Sequence, residues 1–203
     1  NKSISFLLLN ICKQLIDKFR RQNRNSNKKE IIKKLEGESL LIKSIYLREY
    51  SSSQSTIFEK IIMNDLKLDE PIDELSGDAS KKGNNYEIKT SIHDKKSKFN
   101  WLQIRPDHKI DYYILIGLNV YECEMGRVYN YKVPATELYN LIHKYGGYAH
   151  GTCKIHGKIT LDNFKGKNCE YALRVNPNSS GKKNTEIMKA LNKFITPYDE
   201  KYY

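Results

Sequence analysis

Ser76-Gly77-Asp78-Ala79-Ser80-Lys81-Lys82-Gly83-Asn84-Asn85-Tyr86-Glu87-Ile88-Lys89-Thr90-Ser91 reads as a β-hairpin that carries chemistry. Side chains two apart on a strand share a face, so Glu87 and Lys89 point together while Ile88 points into a core. Asp78 arrives from the preceding strand. Lys81-Lys82-Gly83-Asn84-Asn85 is turn chemistry, because glycine and asparagine tolerate positive φ. The hairpin therefore brings Asp78 close to Glu87 and gathers two carboxylates and an amine at one end.

Each residue type has a role there. Hard Mg²⁺ prefers oxygen ligands and keeps several waters, which suits one or two carboxylates plus a substrate phosphate. A neighbouring ammonium can orient the attacking water and balance charge building on a scissile phosphate. The pattern points to metal-assisted phosphodiester hydrolysis. The alternative is that Glu87 and Lys89 are ordinary charges on the solvent face of an amphipathic strand.

Composition favours a polyanionic partner. The 203 residues hold 35 Lys+Arg against 24 Asp+Glu, a formal net charge of +11, and basic side chains displace counterions condensed on nucleic acid. Cys12, Cys123, Cys153 and Cys169 lie scattered without a disulfide rhythm, so a reducing cytoplasm is the expected compartment. His150, Cys153, His156 and Cys169 form an alternative zinc set, without a tight Cys-x-x-Cys knuckle. The apolar run Ile4 to Ile11 falls far short of the roughly 20 residues that span a bilayer, so no membrane partner is expected. No small-residue cleavage site follows it, and Lys13, Asp17 and Lys18 intervene, which argues against a secretory signal.

Outward from the hairpin, apolar spacing predicts helices over about 3–21 and 28–50, separated by the acid-free basic stretch Arg20 to Lys29. Ser51-Ser52-Ser53-Gln54-Ser55 breaks the second helix. Ser55 or Thr56 can cap a third that runs to about Leu68 with Glu59 in its first turns. Tyr112-Tyr113-Ile114-Leu115-Ile116, within a strand from Ile110 to Val120, is a nearly continuous apolar run that fits a strand buried on both faces. A strand over 127–133, a helix over 134–145, short strands near 152–160 and 169–175, and a last helix over 182–194 follow. The fold class is a mixed α/β arrangement: a central mixed sheet flanked by helices, with a helical N-terminal region. Residues 1–54 form that helical region, 55–120 the catalytic core, and 121–203 the rest of the core with a recognition region, all in one compact domain.

Glu59 on a helix, then Asp78, then Glu87-Ile88-Lys89 on an adjacent strand resembles the PD-(D/E)xK nuclease core, most closely its type II restriction endonuclease branch. The resemblance covers roughly residues 55 to 120. Ser76-Gly77-Asp78 stands where Pro-Asp is often found. The likeness implies a restriction-endonuclease-like core and a Mg²⁺-dependent homodimer that cuts palindromic double-stranded DNA to leave 5′-phosphate and 3′-hydroxyl ends. By the same resemblance, Asp78, Glu87 and the Ile88 carbonyl would hold Mg²⁺, Lys89 would position the attacking water, and Glu59 would add a further acid.

Candidate DNA contacts surround this core. Lys81 and Lys82 lie in the hairpin turn, and Gln103-Ile104-Arg105-Pro106-Asp107-His108-Lys109 combines amide, guanidinium and imidazole groups before the central strand. From these, Gln103, Arg105, His108 and Lys109 are candidates. Tyr145, Tyr148, His150 and Thr152 belong to a glycine- and aromatic-rich loop suited to close approach to DNA. Arg174, Asn176, Asn178, Lys182 and Lys183 form a basic, amide-rich cluster whose Arg and Asn match guanine and adenine edges. The expected activity is sequence-specific DNA cleavage. A structure-specific repair or recombination nuclease of the same core and a non-catalytic basic DNA-binding protein are the alternatives.

Overall fold

The computed structural model describes residues 33, 35–43, 54–93, 98–119, 126–149, 159, 164 and 169–203. In chain order these form α1 (Gln54–Asp65), β1 (Ala79–Lys81), β2 (Asn84–His93), β3 (Phe99–Ile104), β4 (Tyr112–Asn119) and β5 (Arg127–Pro134). There follow α2 (Ala135–Tyr145), β6 (Gly147–Tyr148), β7 (Tyr171–Val175) and α3 (Lys182–Leu191), with short 3₁₀ turns at Asn192–Phe194 and Glu200–Tyr202. The fold is mixed α/β. A four-stranded sheet has the order β1-β2-β4-β5, and a three-stranded sheet the order β3-β7-β6.

The first sheet mixes directions: β1 runs antiparallel to β2, β2 parallel to β4, and β4 antiparallel to β5. Parallel neighbours cannot be joined by a hairpin and need a crossover. Here the crossover contains β3, which pairs antiparallel with β7 in the second sheet. Laying β3 across the first sheet covers the face that carries Glu87 and Lys89.

β4 is buried on both sides, as its apolar run predicts. Ile114, Ile116 and Leu118 join Ile57, Phe58, Ile61, Ile62 and Leu66 of the α1 region, together with Tyr86 and Ile88, in one core. Tyr113 and Leu115 face a second core with Phe99, Trp101, Tyr131, Leu138, Ile142, Leu173, Ile187 and Leu191. Two contacts lock the layers. The Trp101 indole N–H donates to the Ile116 carbonyl at 3.1 Å, and Gly117 lies so close beneath Phe99 that a Cβ would fall 2.8 Å from its ring.

Several expectations need correction. β3 falls in a stretch to which the sequence reading assigns no element: Phe99 and Trp101 face inward, but the alternation breaks at a register shift between Trp101 and Ile104, where Gln103 takes φ +56. The helix expected over 28–50 is interrupted by a turn at 35–38, where Gly37 adopts φ +80 and removes the Cβ penalty of that conformation. α1 is described from Gln54, one residue ahead of Ser55, and ends at Asp65, short of Leu68. The hairpin turn uses positive φ at Lys82 and Gly83, while Asn84 and Asn85 already belong to β2. Asp78 lies one residue before β1, not on it. α3 ends at Leu191 and continues as a 3₁₀ turn. The helix expected over 3–21 and the strand near 152–160 lie outside the described residues, apart from Ile159.

Gly77, at φ +83, supports the approach of the chain to β2. A Cβ there would sit 2.5 Å from the Tyr86 carbonyl oxygen and 2.7 Å from Ile110 Cδ1. Gly83 has a similar φ of +79, but nothing within 4 Å of its Cβ direction. Left-handed backbone costs a side-chain-bearing residue about 1–2 kcal/mol, and Gly77→Ala adds a clash with fixed backbone to that. We expect Gly77→Ala to lower Tm by roughly 5 °C or more, and Gly83→Ala by clearly less. Equal Tm changes in thermal melts of the two variants would contradict the crowding at Gly77.

Candidate active site

The hairpin presents Asp78 through its backbone. The Asp78 N–H donates to the Tyr86 carbonyl at 2.9 Å, and its Oδ2 accepts from the Ile88 N–H at 2.8 Å. β1 is only three residues long, so among the described residues no strand lies opposite the β2 edge beyond Tyr86. The Asp78 carboxylate supplies the acceptor a longer β1 would have provided. The Ile88 carbonyl leaves the strand on the same side as its N–H and so projects from this edge. The turn behind Asp78 is pinned as well. Asp73 Oδ1 accepts from the Ser76 hydroxyl at 2.8 Å and the Leu75 N–H at 2.9 Å, and Lys109 N–H donates to the Leu75 carbonyl at 2.8 Å.

Glu87 and Lys89 share a face, as the alternation predicts, but that face is covered. Lys89 Nζ lies 2.5 Å from Glu87 Oε1 and 3.9 Å from Asp78 Oδ2, and the side chains of Lys89 and Glu87 are 13% and 6% exposed. Solvent-face charges would not be buried in this way. Burial works against the Lys89 charge, yet Glu87, Asp78 and Glu59 outweigh it and hold the ammonium above its ordinary value. Glu87 is pushed up by burial, then lowered by Lys89 and raised again by Asp78, with a net upward shift. Glu59 extends from α1 and is raised to about 7 by burial first, then by Asp78, with Lys89 opposing and Glu87 adding to the rise. Three carboxylates thus converge on a single ammonium, which leaves an excess of negative charge in a protein whose net charge is +11.

Two tyrosines join this group although the sequence offers no signal beyond core packing for them. Tyr113 is the register neighbour of Glu87 across β2 and β4. Its hydroxyl is 3.2 Å from that of Tyr139 on α2. His108 is electrostatically linked to Glu87, and its Nδ1 is buried without a hydrogen-bond partner. Asp107, beside it, is electrostatically linked to Tyr139.

The remaining candidates are distributed elsewhere. Lys81 donates to the carbonyls of Leu66 and Glu200, Lys82 to that of Tyr203, and Lys132 to that of Tyr202. Arg105 forms an ion pair with Glu170. Gln103 is exposed at the β3 irregularity, and Lys109 lies 3.8 Å from Asp73. Tyr145 hydrogen bonds to Glu186, and Tyr148 stacks on Tyr171. Arg174 stands opposite Asn100. Asn176 accepts from the Asn178 N–H, and Asn178 accepts from the Asn119 amide. Lys182 and Lys183 are exposed at the start of α3. His150, Thr152, Cys153 and His156 lie outside the described residues, and Cys169 is buried in the second core. No described helix is long and apolar enough to cross a membrane. Comparison with protein-family models, with characterised proteins and with solved structures finds no match to this chain.

The raised Glu59 carboxyl has a thermodynamic consequence. Between its ordinary value of 4.5 and its folded value of about 7, the folded state holds a proton that the unfolded state has lost. Stability therefore falls as pH rises through that window and levels off above it. We expect Glu59→Gln to melt above wild type at pH 8 and to converge on it near pH 4. A Tm difference that stays constant across this range would show that Glu59 is not in the acidic group.

Proposed function

We propose that this protein is a Mg²⁺-dependent, sequence-specific DNA endonuclease acting through Asp78, Glu87 and Lys89, with Glu59 as a further acid. The observation that carries the proposal is the convergence of Glu59, Asp78 and Glu87 on Lys89, which gathers more negative charge than one ammonium can balance. The donor set suits a hard cation. Among the described residues no set of three His, Cys, Asp or Glu side chains is arranged to hold a metal by itself, but Mg²⁺ is ordinarily held by one or two carboxylates, with waters and substrate phosphate completing its shell. Asp78, Glu87 and the Ile88 carbonyl are the groups that would hold it. When bound, it would supply Lewis-acid stabilisation of the phosphate and a more acidic water.

The side chains divide the remaining work. Lys89, kept protonated by its acidic neighbours, orients the attacking water and balances charge on the phosphate. The water oxygen bonds to phosphorus as the phosphorus–O3′ bond breaks, which gives a 5′-phosphate and a 3′-hydroxyl. Glu59, raised to about 7, is partly protonated near neutral pH, and among the described residues Lys89 is the cation paired with these acids. Lys81, Lys82 and Arg105 are engaged within the fold, so phosphate contacts fall to exposed groups such as Lys182, Lys183 and Lys109. The partner is double-stranded DNA, cut at a palindromic site by a homodimer in a reducing cytoplasm.

With Mg²⁺ and a long DNA, wild type should give discrete fragments whose sequenced ends share a site, and chelation should abolish them. Asp78→Asn preserves shape and should slow cleavage by about 100-fold or more, with DNA binding retained; Lys89→Gln should behave similarly. Retained cleavage by either variant would sink the site assignment. DNA binding without metal-dependent cleavage by wild type would favour a non-catalytic binding protein.

A further inference from the structure

We propose that the Tyr139 hydroxyl donates a hydrogen bond to a non-bridging oxygen of the substrate phosphate, with Tyr113 aiming it; this rests on the nuclease function proposed above. Register supplies the placement. Tyr113 is paired with Glu87 on an adjacent strand, about 4.8 Å away, and on the same face. Its hydroxyl meets that of Tyr139 at 3.2 Å. Tyr139 thereby comes to the face that carries Glu87, to which it is electrostatically linked, although it belongs to α2, 50 or more residues further along the chain.

The direction of the protons follows from the partners. A phenol has one proton and can also accept. Tyr113 is fully buried, and the Arg105 backbone hydrogen bonds to its oxygen. With its oxygen accepting there, Tyr113 spends its proton on Tyr139. Tyr139 then keeps its own proton to give, and among the described residues it makes no other hydrogen bond. Its ring is held edge-on against Tyr113 at 6.0 Å and against Phe164 at 5.6 Å, while the side chain as a whole is only half-buried. The result is a fixed donor at the border of the acidic group.

Acid–base character selects the ligand. Burial raises the pKa of Tyr139, and Glu87 and Asp107 raise it further against the lowering effect of Tyr113. Tyr113 is raised by burial and by Tyr139. Both stay neutral phenols, unsuited as bases and suited to donate to an anion. Glu87 is not that anion, because its partner is Lys89 and it makes no hydrogen bond to Tyr139. The phosphate that Lys89 serves is the anion expected beside it. A donor already desolvated and fixed in place stabilises developing charge without reorganisation.

Tyr139→Phe keeps every ring contact and removes one oxygen. We expect Tm to change by no more than about 2 °C and the DNA Kd by no more than about threefold, while single-turnover cleavage slows by roughly 10- to 100-fold. Tyr113→Phe should slow cleavage less, and the double variant should be no slower than Tyr139→Phe alone, because the two hydroxyls act in series. With a single phosphorothioate at the scissile position, the rate ratio between the two diastereomers should change in Tyr139→Phe, which loss of packing would not cause. If wild type cleaves and Tyr139→Phe matches it in rate and ratio, this inference is wrong and the nuclease function stands. Absence of metal-dependent cleavage by wild type would overturn both.

Discussion

A strand that pairs in parallel with its neighbour must leave the sheet before it returns, and the β2–β4 pairing forces this chain to do so. The path it takes, through β3 and into a second sheet, buries the β2 face that bears Glu87 and Lys89. Burial is what couples them, since an ion pair gains little at the surface and interacts strongly where water is displaced. The low exposure of both side chains follows from this topological step, whereas Glu59, on α1 in the other core, is raised first by its own burial and then by Asp78.

Burying these groups is costly for the fold. Taking charges out of water costs several kcal/mol per ion even after relaxation, and here one ammonium serves three carboxylates. Glu59 responds by holding its proton to higher pH. The group is thus a local weakness in the folded state, surrounded by two well-packed cores that compensate for it. Such a trade is the usual mark of a functional centre, where local rules are broken and stability is recovered elsewhere.

Local periodicity made much of this legible. β4, β5, α2, α3 and the shared face of Glu87 and Lys89 follow from alternation and helical spacing read over a few residues. Of the second sheet only β7 was legible, because β3 breaks its alternation at Gln103 and β6 is only two residues long, too little to show a repeating pattern. Lys81, Lys82 and Arg105 looked like free cations because their partners lie 15 to 121 residues away in the chain. Tyr113 and Tyr139 carry no motif at all. Their hydroxyls gain significance only from register and from the packing of α2, which no local window contains.

The amines of the hairpin turn lead to a last point, about timing. Lys81 and Lys82 find carbonyl partners on Glu200 and Tyr203, at separations of 119 and 121 residues, and Lys132 is held at Tyr202 among the rings of Tyr86, Tyr112 and Tyr203. Contacts of such long range form late. As the chain leaves the ribosome, the corner of the sheet beside Asp78 stays unfastened until residues 200–203 have emerged. A truncated product of interrupted translation would therefore carry all of the acids and Lys89, but lack the clasp that closes over the turn between β1 and β2.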